Sequence, residues 1–209
     1  VWDYTPDRRD AMLKEYGVLF IPSPNAMGGG DFTEEEQATL RRFVENGGGL
    51  FVCGLDYYGI HTSSNISSSA VQPFGLEIPS VSLTDKSACI LGDPRFMTFR
   101  DFPRTHDILT HVTEFQSMGS TYVRCDKAGE RAIPLIAANR NGDKVPVLVA
   151  MEWGKGRVVA MGESNWMWPE WLEKADNAQL AVNIFRWLAG EESRQVVTEA
   201  ARRATHASF

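Results

Sequence analysis

The sequence predicts an α/β fold, with a mostly parallel sheet flanked by helices and extra β elements in the middle of the chain. Three observations predict it. Val18-Leu19-Phe20-Ile21 and Leu50-Phe51-Val52-Cys53 are short, wholly apolar runs, the pattern of strands buried on both faces. A helical pattern with Leu40, Phe43 and Val44 on one face lies between them, giving the order strand–helix–strand of a right-handed parallel crossover. Finally, 209 residues with 43% apolar and 23% charged side chains suit one sizeable core, whereas two full domains would be cramped.

The elements follow in order. Residues 6–16 read as a helix with Met12, Leu13 and Tyr16 on one face, and Pro22 closes the first strand. Thr33 and Glu36 have the spacing of a capping box at the start of the second helix, and Gly47-Gly48-Gly49 ends it. After the second strand, residues 56–69 read as a polar, serine-rich loop, followed by a short helix towards Phe74-Gly75. In the middle, residues 88–91, 112–115, 122–124 and 133–137 read as short strands added to one side of the sheet. Residues 145–153 and 156–162 form a hairpin across Gly154-Lys155. Helix 176–189 carries Leu180, Ile184, Trp187 and Leu188 on its apolar stripe, with Asp176 and Gln179 as a second capping box and Gly190 as its stop. Residues 1–190 thus read as one domain. Residues 191–209 read as a helical tail or connector, with Val196, Val197, Ala200 and Ala204 on one side over 191–205.

Composition excludes several classes. A net charge of -6 argues against nucleic acid as the main partner, since phosphate binding needs a basic surface. No run approaches the ~18 apolar residues of a membrane span. No charged-then-apolar leader is visible, and the chain, which begins with Val1, reads as a processed product or an excised piece. Cys53, Cys89 and Cys125 have no metal-like spacing and are read as isolated thiols. They fit a reducing compartment, so a cytoplasmic location is favoured over export. Neither a metal nor a cofactor is expected. Gly28-Gly29-Gly30 invites a phosphate, but the loop runs into Asp31, Glu34, Glu35 and Glu36, whose charge would repel it.

The stretches Tyr16–Asn25, Phe32–Gly49, Asn65–Gly75, Gly156–Asn165 and Asp176–Leu188, in that order, resemble the GIFT domain. That name groups gliding-motility, intraflagellar-transport and trehalose-utilisation-like (ThuA-like) proteins within the class I glutamine amidotransferase-like superfamily. The likeness covers roughly residues 16–76 and 145–190. It implies a flavodoxin-like sheet, and also a strand upstream of the first helix that is not visible here. In amidotransferases of the superfamily, a Gly-x-Cys-x-Gly elbow exposes a thiolate that a late histidine and glutamate activate. Here Asp56 falls at the nucleophile position, and Cys53 lies inside the apolar strand with Phe51 two residues before it. Glu163-Ser164-Asn165 stands where a His-x-Glu pair would be. Amidotransferase activity is therefore not expected.

Open parallel sheets bind ligands at the carboxyl ends of their strands. Three loops should converge there, and they supply the expected ligand set of Ser23, Asn25, Asp56, Tyr57, Asn65, Glu163, Asn165, Trp166 and Trp168. The leading expectation is a non-catalytic binding or interaction domain of a larger protein. Trp166, Trp168 and Trp171, beside Glu163, Asn165, Tyr57 and Tyr58, could stack on sugar faces, offer a protein-contact surface, or simply pack. The rival is a ThuA-like, sugar-acting hydrolase using Asp56, His61 and Glu163 as acid–base groups. Against it stands the structural reading that Asp56 caps a helix and Glu163 accepts backbone N–H bonds. The partners considered are a carbohydrate, another protein or a second copy of the chain.

Overall fold

The order of strands in the main sheet sets the position of everything else. The structure, a computed structural model, describes residues 6–22, 30–54 and 62–191. Its main sheet runs β1-β2-β8-β7-β6, with β1 at Val18–Ile21, β2 at Gly49–Cys53, β6 at Ile133–Arg140, β7 at Asp143–Trp153 and β8 at Gly156–Met161. β1, β2 and β8 are parallel neighbours in flush register: Ile21 pairs with Val52, Val52 with Ala160, and Cys53 with Met161. β8–β7 and β7–β6 are antiparallel. The sheet is therefore mixed, not mostly parallel. Its extra strands arrive through hairpins, which can join only antiparallel neighbours.

Alternation along the strands divides the core. Leu50, Val52, Val158 and Ala160 face helices α2 (Glu34–Glu45) and α3 (Thr62–Val71). Phe51, Cys53, Val159 and Met161 face helix α5 (Asn177–Leu188) and a second sheet. The capping box on α2 forms as expected: Thr33 N–H donates to Glu36 Oε2 at 2.9 Å, and Glu36 N–H donates to Thr33 Oγ1 at 3.3 Å. α2 then exits through Gly47 at φ +111, with Gly48 N–H bonded back to the Phe43 carbonyl at 3.0 Å. α5 ends in the same way through Gly190 at φ +77. α1 (Pro6–Leu13) packs against α2, where Arg42 holds Asp10 at 2.9 Å. Among the described residues no helix is long and apolar enough to cross a membrane.

Four further expectations are corrected. α1 ends at Leu13, before Tyr16, and α3 begins inside the stretch read as loop. The middle of the chain does not simply extend the sheet. β3 (Cys89–Ile90), β4 (Asp93–Phe99) and β5 (Phe115–Met118) form a separate antiparallel three-stranded sheet, and only β6 joins the main one. Residues 122–124 contribute a single bridge, Glu77 to Arg124. Lastly, Asp176 makes no side-chain cap on α5. Its carboxylate instead accepts from Thr113 N–H at 2.7 Å, Thr113 Oγ1 at 2.8 Å and Glu114 N–H at 3.0 Å, while Gln179 donates to Asn183 at 2.8 Å. Tertiary donors outcompete the local cap. The expected helix over 191–205 lies outside the described residues.

Candidate functional site

The carboxyl ends of β1, β2 and β8 stand side by side, as the ligand-edge rule requires. Of the residues expected there, Ser23, Asn25, Asp56, Tyr57, Tyr58 and His61 lie outside the described residues. Asn65 belongs to α3. Glu163, Asn165, Trp166 and Trp168 all lie on the turn that leaves β8.

That turn is sealed from above by chain from the middle of the sequence. Gly162 N–H donates to the Val147 carbonyl at 2.9 Å, and the Gly162 carbonyl accepts from Thr121 N–H at 2.7 Å. A side chain at Gly162 would stand 2.1 Å from the Thr121 carbonyl oxygen, so only glycine lets the two backbones approach. Gly54, which follows β2, similarly faces Ile78, and Thr121 Oγ1 donates to the Pro79 carbonyl at 2.6 Å. Ile78, Pro79 and Thr121 therefore roof the central strand ends. Sequence reasoning did not place them, because the contacts join residues between 24 and 42 positions apart with no motif to mark them.

Beneath the roof Glu163 is completely buried. Its carboxylate accepts the backbone N–H groups of Asn165 and of Trp166, the latter at 2.9 Å, with further backbone bonds from Met118 and Ser164. Burial raises its pKa to about 8, and these bonds pull the other way without offsetting it. Cys53, on the neighbouring strand, is also fully buried. Burial pushes its thiol well above the usual range, and the charge of Glu163 adds to the effect. At neutral pH both groups hold their protons.

The three tryptophans separate into different roles. Trp166 is 0% exposed and packs edge-on against Phe115 at 5.5 Å. Trp171 is buried and stacks on Phe96 at 5.7 Å. Trp168 leaves 49% of its surface to solvent, at the point where Pro169 starts the short helix α4 (Pro169–Leu172). Asn165 is 2% exposed and donates to the Met118 carbonyl at 3.5 Å. The turn thus presents one indole outward on a base of buried polar bonds. Among the described residues no group of three acidic, histidine or cysteine side chains is placed to hold a metal ion.

No family model matches this sequence, and no curated protein does. Solved structures do. The chain resembles the mmIFT52 N-terminal domain with a TM-score of 0.71 at 14% identity, over 90% of this chain and 83% of that one. Cytoplasmic protein STM1381 from Salmonella typhimurium LT2 gives 0.60 at 19%, over 86% and 74%. A ThuA-like protein from Bacteroides uniformis gives 0.53 at 17%, over 91% and 76%. What this chain shares with them, at such low identity, is an α/β fold.

Proposed function

We propose that this chain is a flavodoxin-like GIFT/ThuA-like domain that works by binding rather than by catalysis, with its contact surface at the carboxyl edge of β1, β2 and β8. One observation carries the reading. The nucleophile position itself is held by Asp56, while the cysteine just before it, Cys53, and the acid that stands where the late His-x-Glu pair would be, Glu163, are both fully buried, and Glu163 is committed to backbone N–H groups. A thiol at that depth neither ionises readily nor meets a substrate. The likeness to ThuA-like proteins and to the mmIFT52 N-terminal domain supports the fold part of the proposal.

Within the expected ligand set, Trp168 is the contact residue, and Glu163, Asn165 and Trp166 set the turn from beneath. Ser23, Asn25, Asp56, Tyr57 and Asn65 are the further residues that the sequence assigns to this surface. The half-exposed indole suits either a sugar face or an apolar side chain of a protein partner. Glycan-array and calorimetric screens of wild type and Trp168→Ala test the binding surface, and lost binding in a folded variant is expected. Hydrolysis assays of wild type and Asp56→Ala test the rival. Turnover that disappears with Asp56→Ala would establish the hydrolase and sink the binding reading.

A further inference from the structure

Residues 106–110 cross α5 as a short strap built around the 3-10 turn Asp107–Leu109. Its apolar side is Ile108, which is completely buried. Asn183 of α5 pins its backbone, donating from Nδ2 to the Ile108 carbonyl at 3.0 Å and to the Thr110 carbonyl at 2.7 Å. The first N–H groups of the turn need an acceptor, and His106 supplies one: its Nδ1 accepts from Ile108 N–H at 3.2 Å. The same imidazole packs edge-on against Trp187 of α5, with ring centres 5.1 Å apart, and the Arg157 guanidinium lies over that indole at 5.0 Å. Arg157 is the second residue of β8, so the strap closes the amino end of the strand whose carboxyl end leads to Glu163.

This arrangement suits one charge state only. A ring nitrogen accepts a hydrogen bond only while it is unprotonated, so the closed strap holds His106 neutral with its proton on Nε2. A second proton would set an Nδ1–H against the Ile108 N–H, donor facing donor. It would also put a cation beside the indole that Arg157 already covers. Burial holds the His106 pKa below its ordinary value of 6.5. Asp107 on the strap and Glu152 on β7 pull it up, Arg157 pushes it down, and α5 presents the uncharged Trp187 ring. An opened strap returns His106 to its ordinary value. Closure is therefore at full strength above pH 6.5 and weakens as pH falls below it.

We propose that residues 106–110 are a proton-operated strap, closed over α5 at neutral pH and released when His106 takes up a proton near pH 5. Release bares Ile108 and the Trp187 side of α5, both buried while the strap is closed, so the protein presents a new apolar surface in a mildly acidic setting.

Amide hydrogen exchange of the whole chain, resolved by NMR and referred to the intrinsic rate at each pH, tests the strap at pH 7.5 and 5.0. Protection at Ile108 and Thr110 should fall at pH 5.0, by at most about thirtyfold for an ordinary value of 6.5. Val52 and Val159 in the sheet should lose none. His106→Asn keeps a capping acceptor that does not titrate and should abolish the pH response. His111→Asn, at an exposed position one residue past the strap, should leave it intact. A wild-type loss of less than about twofold, an equal loss at Val52, a response that persists in His106→Asn, or one that disappears with His111→Asn would each overturn the proposal. So would nitrogen–proton spectra of the wild type at pH 7.5 that put the His106 ring proton on Nδ1, a reading that needs no variant to fold.

Discussion

Glu163, at the turn after β8, and Asp85, where the small sheet meets β6, are both buried carboxylates surrounded by backbone N–H groups, yet their pKa values move in opposite directions. Asp85 is 5% exposed and accepts from Ser87 N–H at 2.8 Å, Asn139 N–H at 2.8 Å, the Ser87 hydroxyl and Ala88 N–H. Burial works against its charge, but those bonds outweigh it and the pKa is lowered. Glu163 has comparable donors but no solvent contact, and its pKa rises to about 8. N–H donors alone therefore do not decide protonation; the depth at which they act does. Asp85 borders a surface cleft and serves as a charged staple on an edge strand. Glu163 lies under the roof of Thr121 and Pro79 and serves as a neutral one.

The largest test of this contrast is pH. Glu163 binds a proton in the folded state that the unfolded chain releases near 4.5. Stability should therefore fall as pH rises from 4.5 to about 8 and then level off. At about 1.4 kcal/mol per pKa unit, the upper bound is roughly 5 kcal/mol. Urea unfolding of Glu163→Gln should show this decline removed and the protein stabilised above pH 8. An unchanged slope would break the comparison. Trp166→Ala, which empties the space beneath the turn, should cost about 3–5 kcal/mol by the same measurement. Asp85→Asn should cost about 2 kcal/mol at neutral pH. Because the Asp85 pKa is lowered, its contribution is present above the unfolded aspartate value and lost as pH falls through the folded one. The Asn variant and wild type should therefore converge in acid. Smallest of all, Trp168→Ala should change stability by less than ~0.5 kcal/mol, because its ring is half in solvent.

What could be read from the chain was local. β1, β2, the β7–β8 hairpin and both ends of α2 follow from apolar runs, a capping box and glycines, and they appear within a residue or two of expectation. The small sheet did not follow, since β4 finds β5 across a non-local turn and most of its residues are only half-buried. One readable signal went unused: Asn141-Gly142, both at positive φ, is the hairpin turn joining β6 to β7. Of the candidate site, the sequence marked the turn after β8, and the reading of Glu163 as an acceptor of backbone N–H bonds agrees with its hydrogen bonds. Which tryptophan faces out could not be read, because Phe96 and Phe115 on distant strands decide it.

The central claim is that the strand-end thiol is structural, and thiol reactivity measures that most directly. The native protein is treated with iodoacetamide and the modified cysteines are identified by mass spectrometry, with and without denaturant. Cys89 and Cys125, each partly exposed, should alkylate in the native state, and Cys53 only after unfolding. Native alkylation that is selective for Cys53 and faster than for the other two would mean an activated nucleophile at the carboxyl edge, and would contradict the account.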